Sequence, residues 1–146
     1  MKNLSVFDST LQKTHKMIDD VSIEAKLHDR EAAFKALRGT LLALRDRMPV
    51  DQAAHIGAQL PAMLRGFYYE GWKPAAVPRK DRTQNEFLDH IREYLSDKEP
   101  DLNAQHVAKS VFNVLSNQIS DGEIEDILKA LPGEIRELWP QEIAEV

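Results

Sequence analysis

Apolar residues recur along the chain at intervals of three and four, and no stretch alternates with the period of two that a half-buried strand requires. The pattern therefore predicts an all-α protein. A first helix is expected from Ser5, with Phe7, Leu11, Thr14 and Ile18 on one face, Ser5 and Asp8 as a capping box, and an end near Asp20. A second begins after Asp29 as N-cap and aligns Ala33, Leu37, Leu41, Leu44 and Met48, its opposite face carrying Lys35, Arg38, Arg45 and Arg47. Pro49 ends that helix and starts a third through Ala53, Ile56 and Leu60. Pro61 forces a break, after which a short fourth helix turns Leu64, Phe67 and Tyr68 inward and closes at Gly71.

Residues 72–82 read WKPAAVPRKDR, where two prolines and a basic cluster predict a surface linker. Beyond it Thr83 and Glu86 form a second capping box, opening a helix with Phe87, Ile91, Tyr94 and Leu95. A loop, SDKEPDLN, separates it from a helix marked by Val107, Val111, Val114 and Leu115. Ser120 and Glu123 supply a third capping box for a helix with Ile124, Ile127, Leu128 and Leu131, Pro132 breaks it, and Ile135, Leu138 and Trp139 finish the pattern before Pro140.

The two halves describe the same object. A shift of 71 lays Leu44 on Leu115, Met48 on Ile119, Ile56 on Ile127, Leu60–Pro61 on Leu131–Pro132, Leu64 on Ile135, Arg65 on Arg136, Phe67 on Leu138 and Tyr68 on Trp139. The first helices match at a shift of 80, Phe7 on Phe87 and Leu11 on Ile91, which gives the first copy nine extra residues around Val21–His28. The expected architecture is a tandem pseudo-repeat of two roughly four-helix units, residues 5–72 and 83–140, joined by the linker 73–82 and packed into one compact helical domain spanning 1–146. The run ALRGTLLALRDRMPVDQAAHIGAQLPAMLRGFYYEGWKP, the partial repeat ending GEIEDILKALPGEIRELWP and the linker between them resemble the bacterial family called domain of unknown function 2267. The likeness covers roughly Phe7 to Pro140 and implies a small, duplicated, all-helical bacterial domain, with no catalytic residue to carry across.

Composition narrows the chemistry. The 146-residue chain has no cysteine, which excludes disulfides, zinc–thiolate sites, iron–sulfur clusters and thiol catalysis. No apolar run approaches the roughly 20 residues of a membrane span and the start lacks a signal-peptide core, so a soluble cytoplasmic protein is expected. None of the five histidines shares the i, i+3 or i, i+4 spacing of a helical ligand pair; Glu86–His90 and Asp51–His55 stand four apart but read as ordinary helix pairs. No nucleophile elbow, glycine-rich phosphate loop or calcium loop is present, so no enzyme activity, metal or cofactor is expected.

What remains is RGFYYEGW at 65–72, four of the chain's ten aromatics within six positions. Phe67 and Tyr68 fall on repeated core positions, whereas Tyr69 and Trp72 are additions of the first half. Next to them lie the cations of the linker. Arg65, Tyr69, Trp72, Lys73, Arg79, Lys80 and Arg82 are therefore the candidate interaction surface, suited to a protein partner or to self-association because Tyr, Trp and Arg anchor interfaces. The alternative is a pocket between the repeats for a small or anionic ligand, walled by Tyr68, Tyr69 and Trp72 with Arg65 fixing the anion. Single-stranded nucleic acid ranks below both, since the net charge is -5 and eight acidic residues between Ser120 and Val146 would repel phosphates. Gly66 interrupts a predicted helix, and a close approach of another helix or a ligand would account for it.

Overall fold

The computed structural model describes residues 4–95 and 102–144, the side chains of 143 and 144 excepted. Among the described residues it is all-helical, with helices α1 (Ser5–Ala25), α2 (Arg30–Arg47), α3 (Val50–Ala58), α4 (Ala62–Tyr69), α5 (Gln84–Leu95), α6 (Ala104–Gln118), α7 (Asp121–Ala130), α8 (Gly133–Arg136) and α9 (Gln141–Ala144). No helix among them is long and apolar enough to cross a membrane. Most of the predicted loop SDKEPDLN, residues 96–101, lies outside the described residues.

Local chemistry sets the helix ends. The Asp29 carboxylate accepts from the Glu31 amide at the start of α2, and Asn103 caps α6 by accepting from the His106 amide. The box at Thr83 is complete: its hydroxyl accepts from the Glu86 amide at 3.1 Å while the Glu86 carboxylate accepts from the Thr83 amide at 3.2 Å. The box at Ser120 is half made. Its hydroxyl accepts from the Glu123 amide at 3.4 Å, but the Glu123 carboxylate turns to Gln52, and the Ser120 amide donates to Gln59 instead. The predicted box at Ser5 does not form, because the helix starts one residue earlier and Leu4, which caps it, has no side-chain acceptor. Gly71 follows α4 at a φ of 69°, the left-handed turn that glycine takes without penalty.

α1 packs on α2, α4 and α6; α2 on α3, α4, α5 and α6; α3 on α4 and α7; and α5 on α6 and α8. One continuous apolar core fills the middle and holds every predicted inward residue of α2, α3, α6 and α7. The first helix departs from expectation in two ways. It runs on to Ala25 rather than fading near Asp20, and its buried stripe is Thr14, Met17, Ile18, Val21 and Ala25. Phe7 and Leu11 belong to the same stripe but are 57% and 39% exposed, because the helices that cover α1 reach only its later turns. Phe67 is half-buried and meets Phe34 edge-on at 5.1 Å. Arg45, placed by periodicity on the open face of α2, is 1% exposed.

Two glycines exchange roles. A Cβ on Gly66 would meet nothing within 4 Å, so no close approach explains it. Gly57 is the tight position: a Cβ there would lie 2.8 Å from Cζ of Tyr69 and 3.1 Å from the Tyr68 ring. Gly66→Ala is expected to raise stability by about 0.5–1 kcal/mol, from helix propensity alone. Gly57→Ala is expected to lower it by about 1–3 kcal/mol through overpacking, and the two signs are read from denaturant midpoints.

A buried charge cluster beneath the linker as the candidate functional site

The last turn of α2 carries Arg45 and Asp46 side by side, and both are buried. Facing them, α5 presents His90 and Tyr94 one turn apart, on the same stripe as the core residues Phe87 and Ile91. The linker adds Asp81, also buried. Buried charges are tolerated only when paired and hydrogen-bonded, and here each one is. The Asp46 carboxylate accepts from Arg45 Nε at 2.8 Å and from the Tyr94 hydroxyl at 2.5 Å, with His90 Nε2 at 3.0 Å. His90 Nδ1 lies 3.1 Å from the Asp81 carboxylate, so the ring bridges the two carboxylates through its two nitrogens. Arg45 Nη1 donates to the carbonyls of Tyr68 and Glu70, each at 2.8 Å, and so caps the open end of α4.

The same cluster holds the linker down. The Arg79 amide donates to the Asp46 carbonyl at 2.7 Å, and Arg47 Nε donates to the Asp81 carbonyl at 2.7 Å. With the His90–Asp81 contact, three polar contacts at two linker residues, Arg79 and Asp81, fix a segment whose regular structure is a short 3-10 turn at Pro74–Ala76.

Burial is the largest single influence on Asp46 and acts to raise its pKa, but hydrogen bonds from His90, Tyr94 and Arg45 together outweigh it and hold the carboxyl below its ordinary value. Burial, then the bond to Asp46, pushes the Tyr94 hydroxyl up to about 12. Burial also raises Tyr68. A depressed carboxyl stabilises the fold above its unfolded pKa, and that contribution is lost as pH falls through the folded value. A raised phenol works in the opposite sense: its contribution is present below about pH 10 and is lost as pH rises through about 12. Thermal melts across pH are therefore expected to show a shallower acid arm in Asp46→Asn and a shallower alkaline arm in Tyr94→Phe, with Tyr68 retaining part of the latter.

The predicted site residues divide. Arg65 is not available to an anion: Nε donates to the Gly57 carbonyl at 2.8 Å and Nη2 to the Leu60 carbonyl at 2.9 Å, capping α3. Arg136 does the same for α7, Nη2 donating to the Leu131 carbonyl at 3.1 Å. The spacing Leu-Pro followed four residues later by Arg is thus a structural device. Tyr69 is half-buried with its ring 5.3 Å from that of Trp72, itself half-buried, and both pack against the core. Tyr68 is buried and its hydroxyl donates to the Ala53 carbonyl at 2.6 Å, so it cannot wall a pocket. Lys73, Arg79, Lys80 and Arg82 are exposed, with Arg79 3.4 Å from Glu93.

A cavity of about 230 Å³ opens between linker and body, lined by Asp46, Gly71, Lys73, Ala76, Val77, Arg79 and Tyr94. Sequence reasoning missed Arg45, Asp46, Asp81, His90 and Tyr94 as a group. Its one usable signal was that His90 and Tyr94 sit three and seven residues after Phe87, on an apolar stripe where a polar side chain must find buried partners.

An all-helical body in which a buried polar cluster ties down a basic linker is the class of protein that this fold and site define. Residues 14–138 match the family described as Uncharacterized conserved protein (DUF2267), and the chain belongs to that family. No curated protein matches the sequence.

Proposed function

We propose that the protein is a non-enzymatic interaction module of bacterial origin, working in the cytoplasm, in which a duplicated helical scaffold presents the linker 73–82 and the adjoining Trp72 to an acidic protein surface. Support for the duplication comes from the packing. α1 lies on α6 as α2 lies on α5, while α2 meets α6 and α3 meets α7, the reciprocal pattern of a pseudo-two-fold. Gln52 and Glu123, which are 71 positions apart, hydrogen-bond to each other, as equivalent residues beside such an axis must. The Arg65 and Arg136 caps repeat with the same offset. For the first helices the burial pattern favours a shift of 70 over 80, since it places Met17, Ile18, Val21 and Ala25 on Phe87, Leu88, Ile91 and Leu95, all buried. The exposed turns holding Phe7 and Leu11 are then an addition at the front of the first copy, and no nine-residue insertion is needed.

One observation carries the functional reading. Under this register Arg45, Asp46, His90 and Tyr94 correspond to Ser116, Asn117, Asp20 and Glu24, none of which is buried. The repeat itself therefore does not require the charge cluster; the crossing that has it is the one the linker passes. A chain that only joined two halves would not need three clamps. A clamped segment with Lys73, Lys80 and Arg82 outward is preorganised, which lowers the ordering cost of binding. The Asp46–His90–Asp81 chain has the residue types of a catalytic relay, but each ring nitrogen and the Asp46 carboxylate are already engaged, and Tyr94 is held protonated. That saturation supports a structural role and a non-enzymatic protein.

Charge reversal tests the reading. Lys73→Glu/Lys80→Glu/Arg82→Glu and, separately, Trp72→Ala are used as bait beside wild type, with Lys13→Glu/Lys26→Glu/Lys129→Glu as a control of equal charge change. A partner retained by the control and lost by the linker variants is expected; light scattering at low and high salt reads the self-association version in the same way. Equal capture and equal mass across all variants would sink it. The second reading, a small anion in the 230 Å³ cavity, has Lys73 and Arg79 in its wall to favour it. A rise in melting temperature with a metabolite, abolished by Lys73→Glu, would select it. Retardation of single-stranded DNA that collapses with salt would select nucleic acid, against the acidic field of the second half.

A further inference from the structure

The contacts of the linker step along α5 from its last turn to its start. Arg79 lies 3.4 Å from Glu93, Asp81 lies 3.1 Å from His90, and the Thr83 amide donates to Glu86 at 3.2 Å. Along this strip Lys73, Lys80 and Arg82 are exposed, and so are Pro74, Ala75, Ala76 and Pro78 between the first two. Where the basic strip ends, a strip of opposite charge begins. The Gln84 amide donates to the Glu134 carboxylate at 3.4 Å, and its side chain donates to that of Glu137 at 3.5 Å. Gln141 donates to the Glu137 carbonyl at 3.3 Å, which brings Glu142 alongside. Glu134, Glu137 and Glu142 are exposed, and Gln84, being uncharged, cancels none of their charge. Cations and carboxylates thus lie end to end on one surface, with Gln84 at the junction.

Such an arrangement is self-complementary. Turned by a half-turn about an axis near Gln84, a second copy sets its carboxylates against the cations of the first and its cations against the carboxylates. A uniformly acidic partner broad enough to cover the linker would run onto Glu134 and Glu137 and be repelled, as would a phosphate backbone. The partner that fits is acidic opposite the linker and basic beyond it, and the chain itself has that pattern. We propose, resting on the linker reading above, that two copies associate about this two-fold, the linker of each lying on Glu134, Glu137 and Glu142 of the other. The small apolar residues of the linker fill the space between the charged pairs. Exposed ion pairs are individually weak, so the association is salt-sensitive, with a Kd of about 10–100 µM.

Sedimentation velocity over a protein concentration series reads the mass. The wild type is expected to pass from one copy to two at about 50 mM salt, and to need about tenfold more protein at about 500 mM. Lys73→Glu/Lys80→Glu/Arg82→Glu and Glu134→Lys/Glu137→Lys/Glu142→Lys are each expected to weaken association by more than about tenfold, because like charges then face each other at both contacts. Mixed in equal amounts, the two variants are expected to pair with each other, since every contact across the two-fold is again between opposite charges. An unfolded variant could not be rescued by its counterpart, so the mixture separates lost contacts from lost structure. Lys13→Glu/Lys26→Glu/Lys129→Glu has the same net charge as the linker variant and is expected to pair with the carboxylate variant no better than wild type does. A wild type that stays a single copy at about 500 µM protein and about 50 mM salt, masses that grow beyond two copies, or a mixture no more associated than its components would overturn the proposal. If the wild type stays a single copy while the linker variants still lose a captured partner, the linker reading stands without this pairing; if capture is unchanged as well, both fall.

Discussion

Arg45→Met is expected to lower the unfolding free energy by about 3–5 kcal/mol, the cost of leaving a buried charge without its partner. Methionine matches the aliphatic stem but leaves the Asp46 carboxylate short of its nearest cation, 2.8 Å away, and strips the carbonyls of Tyr68 and Glu70 of the donor that caps α4. Asp46→Asn keeps the shape and should cost less, about 1–3 kcal/mol, since its amide still serves part of the cluster. The double variant Arg45→Met/Asp46→Leu should recover stability relative to the sum of the singles, because residues of one network couple strongly. Urea unfolding followed by circular dichroism measures all three. A cost below about 1 kcal/mol for Arg45→Met would mean that water replaces the guanidinium, which the burial of the site argues against.

Periodicity located the helices because a helix that packs on one side must repeat its apolar residues every 3.6 positions, and the proline breaks and the caps at Asp29 and Thr83 were local enough to read directly. It failed where the answer depended on what lies opposite. Phe7 and Leu11 continue the stripe of α1 without interruption, and only the reach of α2, α4 and α6 decides that the stripe is covered from Thr14 onward. Arg45 sits off the main apolar stripe of α2, where periodicity alone points to solvent, yet α4 and α5 close over that side as well, so α2 is covered nearly all round. The candidate surface suffered from the same blindness. Arg65 and the linker cations look alike in sequence, but the former faces the carbonyls that end α3 while Lys73, Lys80 and Arg82 face outward. Asp81 and His90 are nine residues apart and Asp46 lies 44 positions from His90, so no local spacing could have joined them.

Phe87→Ala is expected to cost about 3–5 kcal/mol and Phe7→Ala less than about 0.5 kcal/mol, a contrast that tests which residues of the two halves correspond. Phe87 is fully buried, with its ring 6.1 Å from Phe112, which in turn stacks on Trp139, so truncation opens a cavity in a chain of aromatic contacts that cannot easily collapse. Phe7 is more than half exposed and its truncation removes little contact. Met17, which takes the place of Phe87 under a shift of 70, should behave as a core residue and cost about 2–5 kcal/mol when changed to alanine. A shift of 80 predicts the reverse for the first helix, with Phe7 costly and Met17 cheap. The three values come from the same denaturant series, and a cost above about 1.5 kcal/mol for Phe7→Ala would return the first helices to that alignment and restore the nine-residue insertion it requires.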